Sequence, residues 1–133
     1  QGSLFASTFR FPYEKETFDV VLLVSVFTHL LRNDMQNYFS EISRVLRPRG
    51  RCLITFFLFN ETQKDGIDAN RREIEFKYSA GRGERVADKN EPEGAVAYDE
   101  YFIRELYAES DFIITEPILY GFQDIVVAVK KPL

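Results

Sequence analysis

Few side chains in the sequence can do chemistry, and they are scattered. His29 is the only histidine among the 133 residues. A neutral imidazole can take a proton from a hydroxyl or an amine. His29 lies in "SVFTHL", directly after an apolar run, with no partner carboxylate visible beside it. A catalytic base and a part-exposed histidine ahead of a helix are both open readings. Cys52 is the only cysteine, which excludes an internal disulfide framework and a Cys-rich metal centre. A lone thiol in a strand-like run reads as core, and no metal site is expected. Ser25 and Val26 close the apolar run that begins at Phe18. Asp19 and Asp124 stand at the starts of apolar runs and read as structural. The "GRG" at Gly81 opens no helix after a strand and is a weak match to a phosphate-binding loop. Tyr78, Tyr98 and Tyr101 would line a pocket, or belong to a solvated excursion.

The elements that must position these residues follow from periodicity. Phe18–Phe27 reads as a buried parallel strand, interrupted only by Asp19 and Ser25. Asp34–Leu46 reads as a helix whose apolar face is Met35, Tyr38, Phe39, Ile42, Val45 and Leu46. Asn33 with Gln36 suggests a capping box, and Arg44 falls on the solvent side. Pro48 and Gly50 stop the helix, with Gly50 available for a positive φ. Arg51–Phe59 is a second buried strand, so strand, helix and strand form a right-handed βαβ unit. Asn60–Ala97 is a polar insert. Within it Ile74, Phe76 and Tyr78 alternate with charges, as in an exposed strand or one arm of a hairpin. "AGRGERVADKNEPEG" reads as a long mobile loop. A short helix follows, with Asp99 as cap and Phe102, Ile103, Leu106 and Tyr107 apolar. "FIITEPILYG" is an edge strand broken by Pro117. Asp124–Lys131 is the last strand, joined closely enough to be antiparallel to it.

These pieces, in this order, resemble the C-terminal half of a class I S-adenosylmethionine-dependent methyltransferase. The stretches "FRFPYEKETFDVV", "SVFTHL", "YFSEISRVLRPRGRCLITFF", "FIRELYAESDFII" and "QDIVVAVKKP" carry the likeness and cover most of the chain outside the insert. The resemblance implies an α/β fold: a partial Rossmann-like domain with a mixed sheet in family strand order 4-5-7-6, strand seven antiparallel, and the N-terminal half absent. Residues 3–133 would form that single partial domain, with Gln1 and Gly2 the remnant of a cleaved tag. The cofactor implied is S-adenosylmethionine, lying beyond the carboxyl ends of the strands. Ser7 and Thr8 occupy the place beside the adenine, where the family commonly has Asp-Ala; an ordinary loop is the other reading. The Ser25 carbonyl would meet the cofactor's amino group and Val26 would pack on adenine, or both simply pack the strand end. His29 lies near the point of methyl delivery. The insert stands where the family places lid and substrate-recognition elements.

Composition bounds the partners. The net charge is −4, and no stretch concentrates Lys and Arg, so no nucleic-acid footprint is visible. No apolar run approaches the ~20 residues of a membrane span. A single thiol fits a reducing compartment, so the cytoplasm is the expected location. The acceptor implied is a small molecule. If the chain is only the C-terminal portion, it should be inactive alone. The strand at 18–27 would then bare an apolar edge that pairs with another copy or another chain. The competing reading is a non-catalytic association module built on that half-sheet.

Overall fold

The computed structural model describes residues 8–60, 74–81 and 83–132. Strand β1 (Phe18–Leu23) is followed by a 3₁₀ turn (Phe27–His29), helix α1 (Arg32–Val45) and the long strand β2 (Leu46–Phe59). Then come β3 (Tyr78–Gly81), β4 (Glu84–Val86), a 3₁₀ turn (Pro92–Gly94) and β5 (Val96–Asp99). Helix α2 (Glu100–Ala108), β6 (Phe112–Ile114) and β7 (Asp124–Lys130) complete the order.

β1 pairs in parallel with β2, β7 lies antiparallel on the other side of β2, and β6 is antiparallel to β7 at the edge. The expected order 4-5-7-6, with the last strand reversed, is therefore the order found. Asp99 caps α2 as expected, its Oδ1 accepting from the Tyr101 amide at 2.9 Å. The predicted apolar face of α1 also holds: Met35, Phe39, Ile42 and Val45 are buried, and Tyr38 packs beside them. They meet Cys52, Ile54, Phe56, Val126 and Ala128 from one face of the sheet.

Several expectations are corrected. β1 ends at Leu23, not Phe27, and is buried on one face only: Val21 and Leu23 pack on the core, whereas Val20 and Leu22 are exposed. Among the described residues its sole strand partner is β2. The helix begins at Arg32, and Asn33 does not cap it; the cap position is Leu31, without a side-chain bond. The Arg32 amide instead donates to Glu84 Oε2 from β4, at 3.1 Å. A carboxylate is favourable at a helix N-terminus. Positive φ falls on Arg49 (φ 70), not on Gly50. Gly50 is required for space, because a Cβ there would lie 2.8 Å from the Arg47 carbonyl oxygen and from Leu46 Cδ1.

Arg44 does not face solvent freely. It pairs with Glu41 at 2.7 Å and donates to the Phe11 and Tyr13 carbonyls, while Glu41 Oε1 accepts the Phe11 amide. The pair clamps the turn that leads into β1. The Arg44 guanidinium, by hydrogen bonding, holds the Glu41 carboxyl below its usual range. Asp19, read as structural, pairs across the surface with Arg47, just past the end of α1, at 3.1 Å.

The insert is more ordered than a loop. β3 and β4 form an antiparallel hairpin, and β5 adds to β4. β5 then runs parallel to β2 over Phe57–Phe59, on the same edge that β1 occupies over residues 51–54. Residues 61–73 and Arg82 lie outside the described residues. The strand expected around Ile74, Phe76 and Tyr78 begins only at Tyr78, which is exposed, whereas Phe76 is buried.

Candidate functional site

The carboxyl ends of β1 and β2 and the entry to β7 converge. Just past β1 the backbone turns sharply: Ser25 has φ 61, the left-handed region that a side chain disfavours. The Ser25 amide donates to Thr55 Oγ1 at 2.9 Å. The Thr55 hydroxyl donates to Gln123 Oε1 at 2.5 Å, and Gln123 Nε2 donates to Ser25 Oγ at 2.7 Å. Three elements thus meet in one closed ring of hydrogen bonds. Asp124, fully buried, supports it from below: Oδ2 accepts the Leu58 amide at 2.8 Å and Oδ1 the Gly121 amide at 3.1 Å. That is the structural role expected of it.

Ser25 is exposed, while Val26 is half-buried against the main core and caps the 3₁₀ turn. Thr8 is exposed; Ser7 lies outside the described residues. His29 ends the 3₁₀ turn, and its ring Nδ1 lies 3.2 Å from the Glu93 carbonyl oxygen of the insert. With the proton on Nδ1 donated there, Nε2 is left as the basic nitrogen. Ser25, Val26 and His29 therefore share one end of β1. Cys52 is buried among the core residues, and burial pushes its thiol up to about 12, which leaves it an inert core group.

Two acids missed by the sequence reading lie at the start of α1. Asp34 is 3% exposed and Glu84 6%. Desolvation raises both carboxyls, with Glu93 adding to the shift at Asp34. Tyr98 is wholly buried; its hydroxyl donates to the Leu30 carbonyl at 2.7 Å, so it is not an open pocket wall. Burial also raises its phenol. Tyr101 is exposed on α2. On the sheet face shared with Thr55, Phe57 packs against Phe76 of the insert (5.2 Å between centroids) and edge-on to Phe122 (5.7 Å). Phe122 precedes Gln123 and is half exposed, so it gives the ring an aromatic flank. The isolated buried Asp and Glu of the insert junction carried no motif. Only their position beside a helix start would have flagged them.

The parallel pair β1 and β2 with the reversed β7 beside it is the strand arrangement that the resemblance implies. Residues 3–54 match the family model described as a methyltransferase domain. Among solved structures, the chain is similar to a SAM-dependent methyltransferase from Methanosarcina mazei, at 18% identity and TM-score 0.65, over 96% of this chain and 65% of that one. It is also similar to the 1,6-didemethyltoxoflavin-N1-methyltransferase of Burkholderia thailandensis, solved with 1,6-didemethyltoxoflavin and S-adenosylhomocysteine, at 18% identity and TM-score 0.59. That match covers 96% of this chain and 48% of the other. A putative methyltransferase from Bacillus halodurans matches at 14% identity and TM-score 0.58, over 96% and 69%. At such identities the likeness establishes the fold, and it is the class I S-adenosylmethionine-dependent methyltransferase fold. The chain spans less than two thirds of the length of the first two of these structures.

Proposed function

We propose that this chain is the strand-four-to-seven portion of an enzyme that moves a methyl group from S-adenosylmethionine to a small-molecule acceptor. The observation that carries this reading is the sheet order, with β7 reversed between β2 and β6, ending in the polar turn at Ser25. Open α/β sheets hold ligands beyond the carboxyl ends of their strands. The residues present fit the cofactor. With the Ser25 amide and hydroxyl oxygen engaged, its carbonyl oxygen is the acceptor left for an ammonium group, and Val26 offers an apolar side chain next to it. Thr8 would border the adenine, and Ser7 lies outside the described residues.

S-adenosylmethionine supplies an electrophilic methyl on a sulfonium. The protein's task is then mainly alignment, since holding nucleophile and methyl in line provides most of the acceleration. His29, with Nδ1 tied to the insert, would accept the acceptor's proton at Nε2. Among the described residues β1 carries no strand on its outer edge, so the described site has one side. The expected outcome for the isolated chain is therefore a weak, millimolar response of the Ser25 and Val26 amides to S-adenosylhomocysteine, and no methyl transfer. Submillimolar binding in calorimetry would contradict the one-sided site, and no response at all would sink the cofactor reading.

The bare edge and face of β1 favour a second reading, an association surface. Val20, Leu22 and Val24 are 57%, 64% and 59% exposed. An open apolar strand edge pairs with other chains. Sedimentation should show a dimer or larger species that Leu22→Lys disperses. A monomer across the concentration range would count against it.

A further inference from the structure

We infer that Thr55 and Gln123 are positioning residues for the cofactor site, holding Ser25 in its left-handed turn so that its carbonyl oxygen is presented to an ammonium-bearing ligand. The inference rests on the cofactor reading above. Among the described residues three non-glycine residues have positive φ: Glu16, Ser25 and Arg49. Only Ser25 is gripped by two other side chains, at its amide and at its hydroxyl. A non-glycine residue persists in this region where its surroundings over-determine it, and such residues gather at functional sites.

The ring also sits at a gap in the sheet. Pairing of β1 with β2 ends at Leu23 opposite Ile54, and pairing of β5 with the same edge begins at Ala97 opposite Phe57. Thr55 lies in that gap, 4% exposed, and its hydroxyl takes the Ser25 amide in place of a backbone carbonyl. Each atom of the ring is used with consistent polarity. The Thr55 oxygen accepts one hydrogen and donates one, and Gln123 uses its oxygen and its nitrogen in opposite directions. What remains at Ser25 is an acceptor carbonyl, suited to an amino or ammonium donor.

The test uses the isotope-labelled chain. The Ser25 backbone angle is read from its amide–Hα coupling and carbon shifts, and its surroundings from the shift response to millimolar S-adenosylhomocysteine. In the wild type Ser25 should report a positive φ and respond to the ligand. Thr55→Val and Gln123→Ala should each lose the left-handed signature and reduce the response about fivefold, the scale of one hydrogen bond. Thr55→Ser should keep both properties. Adding Ser25→Gly to Thr55→Val should restore the response, because glycine adopts the turn unaided. Amide shifts of the core strands monitor folding in every variant.

A Ser25 that keeps positive φ in both variants overturns the inference. So does a Ser25 that leaves the turn while the ligand response stays unchanged, since the ring is then merely structural. A wild-type chain with no ligand response overturns the cofactor reading and, with it, the ligand-presenting role. The coupling measurement, which needs no ligand, still reports separately whether Thr55 and Gln123 hold the turn.

Discussion

The two faces of the sheet around β1 carry similarly apolar residues and meet opposite fates. Val21, Leu23, Cys52, Ile54, Phe56 and Ala128 point toward α1 and α2 and are buried or packed on the core. Their alternate neighbours Val20 and Leu22, with Ile113 of β6, are exposed. Strand side chains alternate between faces, so a continuous apolar run signals protein on both sides. β1 has that sequence, but only one side is covered among the described residues. The run therefore records what the strand is suited to, which is more than the described residues supply.

The difference can be broken most sharply at Phe56. It is fully buried and edge-on to Phe27, at 5.4 Å between ring centroids. Phe56→Ala should cost about 3–5 kcal/mol in urea unfolding, whereas Leu22→Ala on the open face should fall within about 0.5 kcal/mol. A comparable loss at Leu22 would show that the open face is covered in solution. Gly50→Ala comes next. Its Cβ would strike a backbone carbonyl, so a loss of about 1–3 kcal/mol is expected, again read by denaturant midpoint.

Two carboxylates sharpen the contrast through pH. Glu41 has its folded pKa lowered, chiefly by its hydrogen bond to Arg44. Its stabilisation is present above the ordinary value of 4.5 and is lost as pH falls through the lower folded value. Glu41→Gln should remove that acid-side dependence and destabilise the chain at neutral pH. Glu84 is raised by burial, so the folded state favours its protonated form. Relative stability from Glu84 is full below the ordinary value of 4.5 and is lost as pH rises through the raised folded value. Glu84→Gln, which keeps an acceptor for the Arg32 amide, should flatten that decline. Stability measured across pH 3 to 8 would check both, and the same slope change in the two variants would refute the assignment.

The smallest effect is expected at Tyr107, whose buried hydroxyl has no hydrogen-bond partner among the described residues. Tyr107→Phe removes a desolvated group without removing packing, and should be neutral or stabilising by about 1 kcal/mol. A marked loss would mean that the hydroxyl has a partner in solution.

Local patterns made much of this legible in the sequence. The apolar positions of α1, the Asp99 cap, the break at Pro117 and the close turn before Asp124 each depend on neighbours a few residues away. The features that were not legible depend on distant partners. Glu84 meets Arg32 across 52 residues, and the site ring spans separations of 30, 68 and 98. Neither Thr55 nor Gln123 differs in type from any surface or strand residue; only the folded register brings them to Ser25. β4 and β5 were missed because short strands of mixed polarity, such as "ERV" and "VAYD", carry no clear alternation over three or four residues. Arg44 was misplaced because helical periodicity reports which side of a helix faces the core, and is silent about a second segment lying along its flank.

One consequence follows from the way β2 shares its edge. The β3–β5 unit is grafted onto that edge by the short register Phe57–Phe59, with the Glu84–Arg32 and Tyr98–Leu30 bonds as tethers. The β1–β2 register ends before the graft begins. The unit nevertheless shares the main core, because Val86, Val96 and Tyr98 are buried in one cluster with Phe27 and Ile103. A chimera that exchanges it at β2's distal end would therefore have to keep those three side chains, while the β1–β2 register stays untouched.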